Sequence, residues 1–202
     1  MIINTSIKLP APQKDLSFPL MKALENRRSI RKWKETPISE QELSNLLWAA
    51  CGETKAGTKH SKSKRTAPSA CNSQAISLYL ALSEGVFYFD EQQHQLIKIS
   101  NKDIRNKIGT QKMMHSAPLG LIYVSDFSKM THFLFRDDRQ RWFMSATDTA
   151  YISQNIYLYC AARNLSTVVL GLVNRDKIHE AIGLKAYQKV VFTQVVGYSI
   201  ER

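Results

Sequence analysis

Cysteine is scarce in this chain of 202 residues, and the three that occur lie far apart, at Cys51, Cys71 and Cys160. An odd, scattered set excludes a disulfide framework and fits no cysteine-based metal site. The five histidines are equally scattered and show no metal-ligand spacing. We therefore expect no bound metal, and a reducing cytoplasm as the compartment.

Long apolar runs are also missing. No stretch reaches the roughly 18 residues that a membrane-spanning helix requires, so no membrane contact is predicted. The segment Met1–Ile7 lacks the basic region and apolar core of a signal peptide. Hydrophobic residues make up 44% of the chain and charged residues 22%, as in an ordinary globular protein. Length and composition together predict a single domain over residues 1–202.

Acidic side chains are few: 17 against 28 lysines and arginines, for a net charge of +11. The basic excess concentrates in two stretches, Arg27–Lys34 and Lys55–Arg65. Neither has the interleaved aromatic residues of a single-strand nucleic-acid surface, and no zinc-finger motif is present. We therefore predict no nucleic-acid partner. The same positive field would attract an anionic small molecule such as a nicotinamide dinucleotide.

Helical and strand patterns alternate along the chain, with one hairpin between them. Residues 1–15 are predicted as an extended arm, and residues 53–66 as a flexible basic loop. Strands are predicted at Ile76–Leu82, 86–89, 96–99, Leu119–Val124, Ser166–Leu170 and Lys189–Tyr198, and helices after the capping box Ser39–Glu42 and at Asp103–Ile108, Ser145–Arg163 and Asp176–Ile182. This order favours an α+β fold, with a mixed central sheet flanked by helices, over a doubly wound one.

The helix predicted over Ser145–Arg163 is apolar on more than one face. Such a helix is buried, either in the core or in an interface between subunits.

The basic cluster, Arg27–Lys34, follows an apolar helical segment. Arg27, Ser29 and Arg31 alternate, so an extended chain would present all three on one side and Arg28 on the other. Such donors can hold a dianionic phosphate through charge-assisted hydrogen bonds. The alternative is a solvated helix end, where arginine complements the helix dipole.

A second stretch, which we call the amide segment, runs from Pro68 to Gln74 and contains small and amide side chains. Side chains of this kind pair with the polar edge of a heterocycle, although the same residues also form turns that lead into strands. Cys71 lies within it with no base beside it in the sequence, so we predict no nucleophilic role for this thiol.

Together the two stretches resemble the FMN-dependent nitroreductase family, over roughly residues 20–198. In that family an Arg-x-Ser-x-(Arg or Lys) element grips the FMN phosphate, and Arg27, Ser29 and Arg31 match it, with Arg28 beside them toward the flavin. A Pro-Ser-(Ser or Ala)-x-Asn-x-Gln element contacts the flavin from the neighbouring subunit. The matching residues are Pro68, Ser69, Ala70, Asn72 and Gln74.

The resemblance implies further contacts. Backbone amides at Leu170 and Gly171, where a predicted strand ends, would approach flavin N5, and Gln111 would offer an amide to the ring. Arg202 is the candidate for the basic contact that the family has near its C-terminus. The long hairpin and the triplet Ser153–Asn155 resemble most the branch related to azoline-oxidising dehydrogenases.

The activity implied by the resemblance is a ping-pong oxidoreduction in an intertwined homodimer. Non-covalent FMN would lie at the subunit interface, take hydride from NADH or NADPH, and reduce a nitroaromatic, a quinone or a similar small acceptor. No side chain needs to act as acid or base, because the cofactor carries the chemistry. Lys59, Lys62 and Lys64 are hypothesised to attract the dinucleotide phosphates. The alternatives are a flavin-binding sensing or storage protein without turnover, and a basic adaptor that binds RNA or DNA.

Overall fold

The computed structural model describes residues 5–15, 17–111 and 115–200. Its strands are β1 (Ser6–Lys8), β2 (Glu53–Lys55), β3 (Lys64–Arg65), β4 (Ile76–Leu82), β5 (Gly85–Asp90), β6 (Gln95–Ser100), β7 (Leu119–Asp126), β8 (Leu165–Leu170) and β9 (Gln188–Tyr198). Its α-helices are α1 (Leu20–Asn26), α2 (Glu40–Cys51), α3 (Asp138–Arg163) and α4 (Arg175–Ile182). Every helix and strand predicted from residue 76 onward has a counterpart, except that Asp103–Ile108 forms only a short 3-10 turn at Arg105–Lys107.

Seven strands form the central sheet in the order β1-β6-β5-β4-β7-β9-β8. The prediction of an α+β fold is confirmed, but the prediction of a mixed sheet was wrong for the described residues, where each pair in this sheet is antiparallel. The reason lies at one edge. The helix α3 connects β7 to β8 in the same direction, but the last strand, β9, inserts between them and runs opposite to both.

The sheet buries both of its faces. Alternating residues of β4 point to opposite sides: Leu78 and Leu80 pack with α2 and α3, whereas Tyr79 and Ala81 belong to a second core that includes Ile178 of α4. The fold therefore has helices on both sides of one sheet. Of the described helices, none is long and apolar enough to cross a membrane.

The start of α2 confirms half of the predicted capping box. Ser39 Oγ accepts a hydrogen bond from Glu42 N–H at 3.3 Å. The reciprocal bond is absent because the Glu42 carboxylate instead accepts from Tyr159 Oη at 2.5 Å and from Arg163 Nη2 at 3.0 Å. These contacts join α2 to α3.

The helix α3 is longer than predicted and is buried along one face rather than all round. It begins at Asp138 because Asp137 caps it, accepting from Gln140 N–H at 2.8 Å. Its buried face mixes apolar residues such as Ile152 and Ile156 with polar ones. Two polar residues on this face, Asp148 and Thr149, are almost fully buried. The helix therefore brings polar contacts into the core as well as apolar ones.

The segment predicted as a basic loop contains two short strands. Strands β2 and β3 pair in a two-stranded antiparallel sheet, with Glu53 opposite Arg65 and Lys55 opposite Lys64. We call residues 53–65 the basic hairpin. The predicted arm at residues 1–15 includes β1, which lies along the sheet edge against β6.

Candidate functional site

The basic cluster lies along the β8 edge of the sheet. Its backbone is held at two points: Ile30 N–H donates to the Thr167 carbonyl at 3.0 Å, and Lys34 N–H donates to the Tyr198 carbonyl at 2.8 Å. No regular helix or strand forms over residues 27–39. The segment that carries Arg27, Ser29 and Arg31 is therefore not helical.

Tyr157 of α3 links the basic cluster to the end of β8. Its hydroxyl lies 3.0 Å from Ser29 Oγ and accepts a hydrogen bond from Val169 N–H, also at 3.0 Å. The guanidinium carbon of Arg27 lies over the same ring, 5.5 Å from its centre, which is within cation–π range. One buried aromatic residue thus fixes two of the predicted phosphate ligands relative to the strand end.

Arg31 completes this arrangement by lining a small cavity with the other predicted residues of this edge. The cavity measures about 170 Å³. Its lining includes Arg31, Gln111, Leu170 and Gly171. The fold therefore gathers four predicted site residues from three separate parts of the sequence.

Arg28 points elsewhere in this chain. Its Nη1 donates to the carbonyls of Glu25 at 2.7 Å and Arg27 at 2.9 Å, at the C-terminal end of α1. Arginine in this place satisfies carbonyls that the helix leaves unpaired and complements the helix dipole. The helix-end interpretation of the basic cluster therefore holds for Arg28, whereas Arg31 lines the cavity.

The amide segment is held in place by its own hydrogen bonds and by α3. The Asp148 carboxylate accepts from Ala70 N–H at 3.0 and 3.2 Å. Burial raises the pKa of Asp148, and the bond from Ala70 opposes that shift. Ser69 Oγ accepts from Gln74 N–H at 3.1 Å, and Gln74 Nε2 donates to Asn72 Oδ1, also at 3.1 Å.

Three residues of the amide segment adopt the left-handed backbone conformation. They are Cys71, Asn72 and Gln74, with φ values of 51°, 48° and 51°. Asparagine tolerates this region, but for cysteine and glutamine it is unfavourable. The segment therefore carries backbone strain of the kind that clusters at functional sites.

Ser63 connects the basic hairpin to the amide segment. Its carbonyl accepts from Gln74 Nε2 at 2.6 Å and from Asn72 Nδ2 at 3.2 Å, and its hydroxyl donates to Gln74 Oε1 at 3.3 Å. No role was predicted for Ser63, Asp148 or Tyr157 from the sequence. A buried acid in a helix is the one usable signal, at Asp148; the partners of the other two are set by the fold.

The two halves of the candidate site attach to different parts of α3. Asp148 holds the amide segment and Tyr157 holds the basic cluster, nine positions apart, or roughly 13 Å along the helix axis. In one chain, Arg31 and Gln74 accordingly line different cavities.

Other chemistry finds little support in the part of the chain that the structure describes. No group of three or more histidine, cysteine, aspartate or glutamate side chains there could hold a metal ion. All three cysteines are unpaired. Burial raises the pKa of Cys51 to about 12, and it raises the pKa of Cys160 further still, so both thiols stay protonated. Arg202 lies outside the described residues.

Comparison with known proteins identifies the group to which this architecture belongs. The model of the nitroreductase family matches residues 24–198, which include every predicted site residue except Arg202. The chain belongs to the nitroreductase family. The resemblance inferred from the sequence is therefore confirmed, and the protein is an oxidoreductase of that family.

Individual relatives of the family align with nearly the whole chain. A nitroreductase-like protein of Methanocaldococcus jannaschii is 26% identical over 188 residues, covering 88% of this chain and 90% of its own. The crystal structure of a nitroreductase-like protein of Ralstonia eutropha is 32% identical and has a TM-score of 0.87, covering 98% of this chain and 90% of that one.

Two more distant solved structures share the fold. An NADPH:FMN oxidoreductase of Vibrio harveyi, complexed with NAD+, has a TM-score of 0.65 at 18% identity and covers 90% of this chain and 69% of that one. A chain of the Escherichia coli microcin synthetase complex has a TM-score of 0.70 at 15% identity and covers 89% and 73%. At such identities the likeness concerns the fold alone.

Proposed function

We propose that this protein is an FMN-dependent NAD(P)H oxidoreductase that reduces nitroaromatic, quinone or similar small acceptors. The observation that carries the proposal is the meeting of Arg31, Gln111, Leu170 and Gly171 around one cavity, with Ser29 tied to the same strand end through Tyr157. Ser29 and the four residues around the cavity each match a flavin contact implied by the family resemblance.

The side chains present fit an FMN phosphate. Arg27 and Arg31 supply guanidinium groups and Ser29 a hydroxyl, on a non-helical segment pinned to the sheet. Such donors form charge-assisted hydrogen bonds to phosphate oxygens. Asn72 and Gln74 belong to the segment that would meet the polar edge of the ring, and hydrogen bonds to Ser63 and to each other fix their side-chain amides. When bound, FMN supplies the hydride chemistry, so these residues bind and orient it rather than exchange protons.

Gly171 offers a direct test of fit. A Cβ built there would come no closer than 3.8 Å to Phe192, and its φ is outside the left-handed region. The fold of this chain therefore does not itself require glycine at the position. A ligand that approaches the backbone closely would require it, which supports a flavin beside Leu170 and Gly171.

We further propose that the active form is a homodimer with FMN at its interface. The cavity at Arg31 is below the roughly 300–1,000 Å³ typical of small-molecule sites, so one chain supplies only part of the site. Apolar side chains on α1 and α3, helices that pack together, are exposed: Leu20 at 63%, Met21 at 74%, Phe143 at 68% and Tyr151 at 46%. Exposed apolar groups of this extent favour an interface between subunits.

The reaction would occur in a reducing compartment such as the cytoplasm. Three unpaired cysteines, one of them exposed, support this choice.

The first experiment is an absorbance spectrum of the purified protein, with released flavin identified by mass and subunit number measured by light scattering. We expect about one FMN per chain, a dimer, and bleaching by NADH or NADPH. Bound FMN without bleaching would favour the sensing or storage alternative. A colourless protein that stays colourless with added FMN would refute the proposal.

A Gly171→Ala variant sharpens this experiment. Because alanine fits the chain at this position, we expect the free energy of unfolding without flavin to stay the same or rise by about 0.5 kcal/mol, while FMN is lost. Retention of FMN by this variant would place the flavin elsewhere.

A further inference from the structure

A second cavity, of about 740 Å³, is formed by the basic hairpin, the amide segment and the turn after β7. Its lining includes Lys59, His60, Lys62, Ser73, Gln74 and Lys129. Because Gln74 belongs to the amide segment, this cavity adjoins the flavin site that we propose. Its size is sufficient for part of a dinucleotide.

The charge of this cavity is positive. Lys59, Lys62 and Lys129 contribute three ammonium groups. The carboxylate in the lining, Glu91, is engaged in a largely buried ion pair with Arg65. A lysine ammonium is a compact point charge that suits phosphate. The cavity therefore favours a ligand with several negative charges.

Ser73 gives a second, independent sign of a ligand. Only 4% of this residue is exposed, and among the described residues its Oγ has no hydrogen-bond partner. Arg65 Nε, in the same lining, is also buried and unpaired. Unpaired buried polar groups are destabilising and call for an explanation. A ligand oxygen in this cavity would satisfy them.

We propose that this cavity holds the phosphate-bearing end of the electron donor, and that its lysines select NADPH over NADH through the 2′-phosphate. The inference rests on the proposed function, because it requires a nicotinamide donor beside the amide segment. The 2′-phosphate adds about −1.5 to −2 charge near neutral pH. NADPH therefore differs from NADH by a charge that a cluster of lysines can bind. Lys64 lies in β3 outside the lining, so it is separated from Lys59 and Lys62.

The test uses the full-length, FMN-loaded protein carrying Lys59→Gln and Lys62→Gln together. We expect the KM for NADPH to rise by a factor of about ten or more, because the variant removes two lysines and the loss of one charged contact alone corresponds to roughly a factor of ten. The KM for NADH should rise much less, because NADH shares the dinucleotide phosphates but lacks the 2′-phosphate, and the kcat with either donor and the FMN content should stay unchanged. Calorimetry supplies a readout other than turnover: 2′,5′-ADP should bind the wild type more tightly than 5′-AMP does, and the double variant should lose this difference.

The matched control carries Lys55→Gln and Lys64→Gln. It makes the same change in net charge within the same hairpin, on exposed residues outside the cavity lining. We expect it to keep the preference for NADPH. If both double variants lost the preference for NADPH equally, the preference would come from the overall positive charge of the hairpin. That result would overturn the proposed binding site in this cavity.

A Ser73→Ala variant tests the cavity from its buried side. Because it removes an unpaired hydroxyl, the unfolding midpoint should not fall, while the KM for NADPH should rise about threefold. A lowered midpoint with an unchanged KM would assign Ser73 a structural role and contradict its contact with the donor.

The two proposals fail in different ways. A wild-type protein without FMN would remove the proposed function altogether. A wild type that binds FMN and oxidises NADH and NADPH equally well, with no response to the lysine substitutions, would overturn only the inference about the donor.

Discussion

The basic cluster and the amide segment hold their functional groups by opposite means. The basic cluster presents mostly exposed side chains on a non-helical segment that two backbone hydrogen bonds and Tyr157 pin to the sheet edge. The amide segment bonds to itself, to Ser63 and to the buried Asp148, and it keeps three non-glycine residues at positive φ. The first half is available to a ligand without rearrangement, whereas the second is a rigid platform whose shape depends on buried contacts.

This difference determines how substitutions should act. A change in the basic cluster should weaken ligand binding and leave the fold intact, because its charged groups are exposed. A change in the supports of the amide segment should cost stability first and binding as a consequence, because a buried group loses its partner.

The largest effect is expected from Asp148→Ala. It leaves the Ala70 N–H without its acceptor and opens space in α3, so we expect the free energy of unfolding to fall by about 2 kcal/mol and FMN to be lost. Urea unfolding and flavin content measure the two effects.

Two variants serve as controls for Asp148→Ala. Asp148→Asn keeps an acceptor oxygen for Ala70 and has no charge to bury, so the loss should be smaller. Asp138→Asn, on the exposed end of the same helix, should change stability by less than about 1 kcal/mol. If the Asp148→Ala protein were as stable as the wild type, the amide segment would not depend on buried contacts, and its proposed difference from the basic cluster would be wrong.

An intermediate effect is expected from Arg31→Gln. A hydrogen bond to a charged group contributes roughly 1.5–3 kcal/mol, so FMN affinity should weaken about tenfold or more, with unchanged stability. Flavin titration of the apoprotein measures the affinity.

Arg28→Gln provides the comparison for Arg31→Gln, because Arg28 bonds to the end of α1 and does not line the cavity. We expect little change in FMN affinity and a loss of stability of about 0.5 kcal/mol. Equal losses of affinity in both variants would show that general charge, rather than position, holds the phosphate.

The smallest effect is expected from Cys71→Gly. Cys71 is exposed with φ at 51°, so glycine relieves the left-handed strain but adds entropy to the unfolded chain. We expect a net gain of about 0.5 kcal/mol. Cys71→Ala keeps the Cβ and should leave stability unchanged in the same unfolding experiment. A loss of stability in the glycine variant alone would mean that the positive φ is not strained.

Local signals carried much of the prediction. Strand β4 has the predicted bounds, Ile76–Leu82, because a largely apolar run that contains one serine, Ser77, ends at the polar pair Ser83 and Glu84. The start of α2 after Ser39 was also predicted. Predictions failed where contacts between distant segments decide the structure. Glu42 bonds to Arg163 and not to the start of its own helix. The sheet is antiparallel because β9 lies beside β7, and no local pattern specifies that placement.

The site divides in the same way. The order and spacing of Arg27, Ser29, Arg31 and the Pro68–Gln74 residues were present in the sequence, and they sufficed to predict the family. The residues that hold them in place could not be predicted, because Tyr157 contacts a serine 128 positions away and Asp148 contacts a backbone amide 78 positions away. Donors and their spacing are properties of the chain, so the sequence by itself determined which groups could bind an anion. Which of those groups share a cavity depends on contacts between distant segments, and only the tertiary structure decided that Arg31 faces Gly171 while Arg28 turns back to α1.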